Sequence, residues 1–136
     1  MSFDDKILET IGKTPLVQLR GDEAGDRAQI YAKLEMFNPG GSVKDRPALN
    51  MILDAEKRGV LDSRTTVIEA TSGNTGIALS MICAVRGYEC IIVMPENMSI
   101  ERIKTMEAYG AKIELTSKND GMKGALARVE DLCEEL

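Results

Sequence analysis

The chain has 136 residues, enough for one ordinary domain and too few for two comfortable ones. Hydrophobic residues make up 43% and charged residues 29%, the balance of a folded globular protein rather than a disordered one. A net charge of −5 argues against nucleic acid as a partner, so an anionic ligand would be held locally, by backbone N–H groups or a few placed side chains.

No apolar run approaches the length that crosses a bilayer, and Asp4, Asp5 and Lys6 make the start polar. Neither a membrane nor a signal peptide is expected. Cys83, Cys90 and Cys133 are odd in number, widely spaced and set in apolar-patterned stretches. They read as buried thiols of a reducing cytoplasm, with neither disulfides nor a metal site expected. There is no histidine, which removes the commonest general base and the commonest metal ligand. Chemistry must therefore rest on Lys, Ser, Thr, Tyr, Cys or carboxylates.

In chain order, 14–19 and 30–34 read as two short strands joined by the polar segment 20–29. No helix intervenes to make them parallel, so a hairpin fits. A helix is expected over 47–58, carrying Leu49, Ile52, Leu53 and Ala55. From there strands near 66–70, 90–94 and 112–116 alternate with helices near 76–86, 99–109 and 121–135. That rhythm predicts βαβ units: an α/β fold, three layers around a parallel sheet. Gly87 and Gly110 stand where a helix ends in a left-handed residue. Ser99 is a suitable N-cap, but Arg102 occupies the place of a capping-box Glu. The stretch 77–85 is apolar nearly all round and predicts a buried helix. In the last helix Met122, Ala125, Leu126, Val129, Leu132, Cys133 and Leu136 form one apolar stripe at three-and-four spacing.

Gly12-Lys13-Thr14 has the tail of a phosphate-binding P-loop, but Ile7 stands where its first Gly belongs and Pro15 follows in place of a helix. A Gly-x-Gly-x-x-Gly fingerprint follows none of the strands. Two other stretches remain. Thr71-Ser72-Gly73-Asn74-Thr75-Gly76 follows a strand and opens a helix, where small residues let N–H groups face an anion, phosphate or carboxylate. A capped tight turn fits the same residues. Asn38-Pro39-Gly40-Gly41-Ser42-Val43-Lys44-Asp45-Arg46 is a loop running into a helix. The helix dipole disfavours a cation at Lys44, which suits a lysine used as a free amine toward a carbonyl. From these residues alone a solvated lysine paired with Asp45 is the reading to prefer.

Both stretches, with Met94-Pro95-Glu96, Ser99-Ile100-Glu101-Arg102, Tyr109-Gly110-Ala111, the Ile11-Gly12-x-Thr14-Pro15-Leu16-Val17 start and Gly121-Met122-x-Gly124-Ala125, resemble the cysteine synthase (O-acetylserine sulfhydrylase) family. The resemblance covers essentially the whole chain, in order and spacing. It implies a fold-type II pyridoxal-phosphate enzyme in which Lys44 binds the cofactor and later moves the α-proton. Asn74 would hydrogen-bond the cofactor's 3′-oxygen, and Thr71, Ser72, Gly73 and Thr75 would hold the substrate carboxylate. The implied reaction is β-replacement: an activated serine loses its β-substituent and sulfide adds to give cysteine. The resemblance further implies a cytoplasmic homo-oligomer, a homodimer. Residues 1–136 would form the substrate-side domain, and 1–37 would belong to the sheet of a second, C-terminal domain. Family members continue beyond Leu136 with the phosphate loop and the group facing the pyridine nitrogen, so these 136 residues alone are expected to be inactive. The alternative is a non-catalytic α/β module that binds partners or oligomerises through its unpaired strands. Which activated serine is used stays open.

Overall fold

The computed structural model describes residues 5–19 and 28–136. Most of the predicted connecting segment 20–29 lies outside these residues. In chain order the elements are α1 (Asp5–Leu8), β1 (Leu16–Leu19), β2 (Ile30–Lys33), a turn of 3₁₀ helix (Glu35–Phe37) and α2 (Asp45–Lys57). Three strand–helix pairs follow: β3 (Thr66–Ala70) with α3 (Asn74–Arg86), β4 (Glu89–Pro95) with α4 (Ile100–Ala108), and β5 (Lys112–Thr116) with α5 (Gly121–Glu135). Each predicted strand and helix is present. The 47–58 helix begins earlier than expected, at Asp45, because Asp45 and Arg46 both have partners that hold them in its first turn.

β3, β4 and β5 form a parallel sheet in that order, with Ile68 opposite Ile91 and Ile92 opposite Ile113. Alternation along β4 divides the core into two. Cys90, Ile92 and Met94 face a cluster built with α2, α3 and α4, whereas Val93 and Ile91 face Ala125, Val129 and Leu132 of α5. These are the three layers that the sequence predicts. Met81, Ile82, Ile92, Met94 and Met106 are fully buried, each worth about 1.5–3 kcal/mol relative to exposure.

α3 is buried from Ala78 through Cys83 without a break, because the sheet covers one side and α2 and α4 the others. It stops at Gly87, whose φ of +77° is strained for any residue with a Cβ. The N–H groups of Gly87 and Tyr88 both bond the Cys83 carbonyl there. Just before, Arg86 donates from Nε and Nη2 to the two carboxylate oxygens of Glu56 at 2.9 and 2.7 Å, and the Tyr88 hydroxyl donates to the same carboxylate at 2.8 Å. Glu56 lies in the last turn of α2. Two packed helices of 13 residues each, about 20 Å long, are thus joined at their C-terminal ends. Each helix runs back from this joint to its own N-terminal end, Asp45 in α2 and Asn74 in α3.

Two expectations are corrected. Cys83 and Cys90 are buried, but Cys133 is exposed. The α5 stripe is wider than its contact: Ala125, Val129 and Leu132 meet the sheet, while Met122, Leu126 and Leu136 face outward with Cys133. One helix touches a sheet along a single line, so a broad stripe keeps an open flank. Ser99 sits at the N-cap of α4 as predicted, yet its hydroxyl donates to the Glu101 carboxylate at 2.6 Å and caps no backbone N–H.

β1 and β2 pair antiparallel, Leu16 opposite Lys33 and Leu19 opposite Ile30, in a sheet separate from the first. The hairpin is as expected, and Leu16, Leu19, Ile30 and Tyr31 are exposed on it. Among the described residues no helix is long and apolar enough to cross a membrane.

The joint at Glu56 gives a direct test. The pair is mostly buried, with side-chain exposures of 30% for Arg86 and 17% for Glu56. Replacing Glu56 with Ala removes the acceptor of three hydrogen bonds, two of them charged. We expect a loss of about 1–3 kcal/mol in urea denaturation. A variant as stable as wild type would show that α2 and α3 are held by apolar contact alone.

Candidate active site

In an open parallel α/β sheet the loops beyond the carboxyl ends of the strands are where ligands bind. Beyond β3, the Thr71 N–H still bonds the Val93 carbonyl at 3.0 Å, which extends the ladder by one residue before the chain turns. The Gly73 N–H bonds the Thr71 hydroxyl oxygen at 3.3 Å, and Gly73 then serves as the extended N-cap of α3. Its carbonyl takes the N–H of Gly76 at 3.0 Å and of Ile77 at 3.4 Å. The N–H groups of Asn74 and Thr75 have no acceptor among the described residues, and at a helix start they carry the positive end of the dipole. Asn74 is exposed; Thr71, Ser72, Gly73 and Thr75 are half-buried. From α4, Arg102 Nη1 donates to the Ser72 carbonyl at 3.2 Å and ties the turn to its neighbour.

Gly76 explains why this turn can sit so low on the core. A Cβ there would lie 2.8 Å from Met106 Sδ and 2.9 Å from Thr71 Cγ2, closer than side-chain atoms approach. The helix can therefore lie against α4 and Thr71 only if residue 76 has no side chain.

Lys44 immediately precedes α2. Its side chain is exposed, and its amine makes no hydrogen bond or ion pair. The pairing with Asp45 does not form. Asp45 is fully buried, and one carboxylate oxygen accepts the Gly40 N–H at 2.6 Å. Burial pushes this carboxyl above its ordinary value, while the Gly40 N–H pulls the other way.

The backbone around Lys44 is framed by polar groups. Its N–H bonds Ser42 Oγ at 3.1 Å. Buried Asn38 donates to the carbonyl of Ser42 at 3.0 Å and to the carbonyl and carboxylate of Glu35, each at 2.9 Å, and it accepts the Gly12 N–H at 2.8 Å. Arg46 grips both carboxylate oxygens of Glu35 at 2.8 and 2.9 Å and donates to the Gly12 carbonyl at 2.9 Å. The Thr14 hydroxyl donates to Glu35 at 2.8 Å. The Arg46 guanidinium first, then the Thr14 hydroxyl, hold the Glu35 carboxyl down at about 2.

Lys44 thus precedes α2 and Thr71, Ser72, Gly73, Asn74 and Thr75 open or precede α3, two helices that pack on one another; among the described residues the Lys44 amine and the N–H groups of Asn74 and Thr75 have no partner. A profile of the family described as pyridoxal-phosphate dependent enzymes matches residues 7–136. The chain belongs to that family. It is 56% identical over 128 residues to a cysteine synthase of Flavobacterium, covering 94% of this chain and 41% of that protein. Among solved structures it is similar to a cysteine synthase from Entamoeba histolytica (TM-score 0.89, 47% identity, covering 95% of this chain and 39% of that one). It is likewise similar to a hydrogen sulfide-producing enzyme from Fusobacterium nucleatum (TM-score 0.87, 53% identity, 96% and 42%). The chain spans about two fifths of the length of these relatives.

The residues present fit the family's cofactor. An aldehyde needs a primary amine, and Lys44 offers one that has no partner among the described residues. Anionic and carbonyl oxygens need donors, and the start of α3 offers two free N–H groups with the side chains of Ser72, Asn74 and Thr75. Among the described residues no group of His, Cys, Asp or Glu could hold a metal ion.

Sequence reading picked out Lys44 and the 71–75 turn but gave no role to Asn38, Glu35, Arg46 or Asp45. Next to Pro39 and Gly40, Asn38 and Asp45 look like ordinary turn residues. Glu35 and Arg46 are 11 residues apart, and the loop with Pro39, Gly40 and Gly41 between them breaks any helical period that would join them. The available signal was a polar cluster with few apolar neighbours, too weak to assign partners.

Two tests follow from this geometry. Glu35 has a lowered folded-state value, so its contribution to stability is complete above about 4.5, its ordinary value, and fades as pH falls toward about 2. The difference in thermal midpoint between wild type and Glu35→Gln should therefore be largest above pH 5 and shrink steadily to pH 2. A constant difference would mean that the carboxylate charge is not what the frame uses. Gly76→Ala should cost about 1–3 kcal/mol through overpacking and should displace Thr71. Denaturation, with the Thr71 methyl shift in NMR spectra, would register both effects.

Proposed function

We propose that this chain is the substrate-facing part of a pyridoxal-phosphate-dependent cysteine synthase, which replaces the acetoxy group of O-acetylserine with sulfide to give L-cysteine. What supports the reading is the Lys44 amine, without a partner among the described residues, just ahead of a helix that packs on α3, whose opening N–H groups at Asn74 and Thr75 are likewise unpartnered. The similarity to cysteine synthases over 94% of the chain supports it.

Lys44 holds the cofactor through its amine, and Asn74 holds it through its side-chain amide. When bound, pyridoxal phosphate supplies the conjugated ring that takes up electrons from the substrate's Cα–H bond. Lys44 Nζ, freed by the arriving amino acid, takes the α-proton and returns it after sulfide has added. The hydroxyls of Thr71, Ser72 and Thr75, with the N–H groups that open α3, bind the α-carboxylate and fix which bond at Cα faces Lys44. Gly73 leaves the approach to those donors open. Acetate leaves from Cβ and the sulfur of sulfide takes its place, so no oxidant or reductant is needed. A histidine-free chain can perform every one of these steps.

Residues 38–136 form the substrate-side domain in this reading, and the β1–β2 hairpin docks on a sheet that these residues do not supply. The exposed apolar residues of the hairpin support such docking, and with it a homodimer. The buried thiols Cys83 and Cys90 suit the cytoplasm. The same exposed hairpin supports a second reading, a module that keeps the fold and binds partners without turnover.

Trapping with borohydride in the presence of pyridoxal phosphate, followed by peptide mapping, tests the cofactor assignment. Lys44 should be modified ahead of the other lysines, and a different preferred lysine would overturn the assignment. Cysteine formation from O-acetylserine and sulfide, compared with Lys44→Ala, tests turnover. These residues span about two fifths of the relatives' length, and with about a hundredfold lost per misplacement of about 1 Å the 136 residues by themselves should run near background in both forms. Robust turnover abolished in the variant would keep the function and refute the need for further residues.

A further inference from the structure

We propose that Asp45 is a positioning residue: its buried carboxylate, bonded to the Gly40 N–H, holds the 40–44 loop closed against α2 and so sets the direction in which Lys44 presents its amine. This rests on the reading of Lys44 as the cofactor lysine.

Three observations carry it. First, Asp45 is fully buried although it is the first residue of a helix, a place where an aspartate serves the dipole equally well from the surface. Burial of a carboxylate is costly, and this one is only half compensated. Oδ2 takes the Gly40 N–H at 2.6 Å, whereas Oδ1 is buried with no partner. A side chain held inward at that cost is fixed by what it grips, and what it grips is the loop that carries Lys44.

Second, the contact is fitted at both ends. A Cβ on Gly40 would lie 2.4 Å from Asp45 Oδ1, so only glycine allows the approach. A Cβ on neighbouring Gly41 would meet nothing within 4 Å, and that glycine serves the turn through its φ of +81°. Adjacent glycines thus have separate tasks, one for the clamp and one for the bend.

Third, the clamp closes around Lys44 itself. Ser42 Oγ takes the Lys44 N–H at 3.1 Å on one side, and Asp45 anchors the chain on the other. The Lys44 side chain has no partner of its own among the described residues, so the backbone, which fixes the Cα–Cβ direction, sets the space that the amine can reach. Asp45 acts through that backbone and touches no reacting atom.

The test uses the 136-residue chain as wild type, Asp45→Asn, Asp45→Ala and Gly40→Ala, with thermal denaturation to confirm folding. Two readouts are taken: hydrogen exchange at the Gly40 amide, and the rate at which pyridoxal phosphate with borohydride labels Lys44 relative to the other lysines. Asp45→Asn keeps a carbonyl acceptor and should retain both Gly40 protection and Lys44 preference. Asp45→Ala should expose the Gly40 amide and reduce the Lys44 preference by about tenfold or more, the scale expected for a reacting group displaced by a fraction of an ångström. Gly40→Ala should do the same with Asp45 intact, and it decides the matter if Asp45→Ala fails to fold. A folded variant in which the Gly40 amide is free while Lys44 is labelled as in wild type overturns the proposal. So does an Asp45→Asn chain that keeps Gly40 protected and loses the preference, since charge and not position would then be acting. A wild-type chain without any Lys44 preference defeats the underlying cofactor assignment, and positioning falls with it. A preference that survives Asp45→Ala defeats positioning alone.

Discussion

The burial of α3 on all sides is the constraint from which the rest of this structure follows. A helix apolar nearly all round cannot lie on a surface, so the sheet must cover one side and α2 and α4 the others. Once enclosed, it can meet solvent only at its ends. The C-terminal end is closed by Gly87 and by the Glu56–Arg86 pair, which leaves the N-terminal end as the opening. The donors of Asn74 and Thr75 are thus exposed by the packing that hides everything behind them. An anion held there would meet a helix that apolar contacts keep from shifting.

The two halves of the candidate site are made rigid by opposite means. The 71–75 turn is set by close apolar packing, with Gly76 against Met106 and Thr71. The Lys44 loop has few apolar neighbours, since Val43 is exposed beside it. Its order comes instead from hydrogen bonds: Asn38 to three chain segments, Glu35 to Arg46 and Thr14, Asp45 to Gly40. This difference suits what each half would do. A carboxylate-binding turn needs donors in fixed places, and a dense core provides that. A lysine that must bind, release and move a proton needs a mobile side chain on a fixed backbone, and a polar frame provides both without enclosing the amine.

The difference also explains what could be read from the sequence. Apolar periodicity is a local property, so the strands at 66–70, 90–94 and 112–116 and the helices between them were legible, as was the buried character of 77–85. The two loops were legible as loops, but their Gly, Pro, Ser and Asn fit capped turns as well, and only the family resemblance marked them as places for chemistry. The frame around Lys44 was not legible: its bonds join Gly12, Thr14, Glu35, Asn38 and Arg46, and no period links those positions. Nor could the stripe of α5 reveal its own open flank. Met122, Leu126 and Cys133 are patterned like Ala125 and Leu132, and only the width of the contact with the sheet separates them.

Surplus apolar pattern of this kind carries its own argument. Residues of the β1–β2 hairpin and the outer flank of α5 have the composition of a core and the exposure of a surface. The two differ in what they could accept. The hairpin is a short, two-stranded ribbon with backbone groups free along both outer edges, a form that is marginal by itself and gains by pairing with further strands. The α5 flank has every internal backbone bond made within the helix and can only pack side chain to side chain. Strand addition fixes register through main-chain hydrogen bonds, whereas helix packing tolerates sliding. Of the two surfaces, the hairpin is therefore the one that could hold a neighbouring sheet at a set distance from Lys44. It is also the one tied covalently and by hydrogen bonds to the Lys44 frame, through Gly12 and Thr14 before β1 and Glu35 after β2, which meet at one end of the hairpin. Whatever docks on the hairpin is thereby referenced to the loop that carries the amine, and a cofactor gripped between the two would find both of its holders built on one continuous frame.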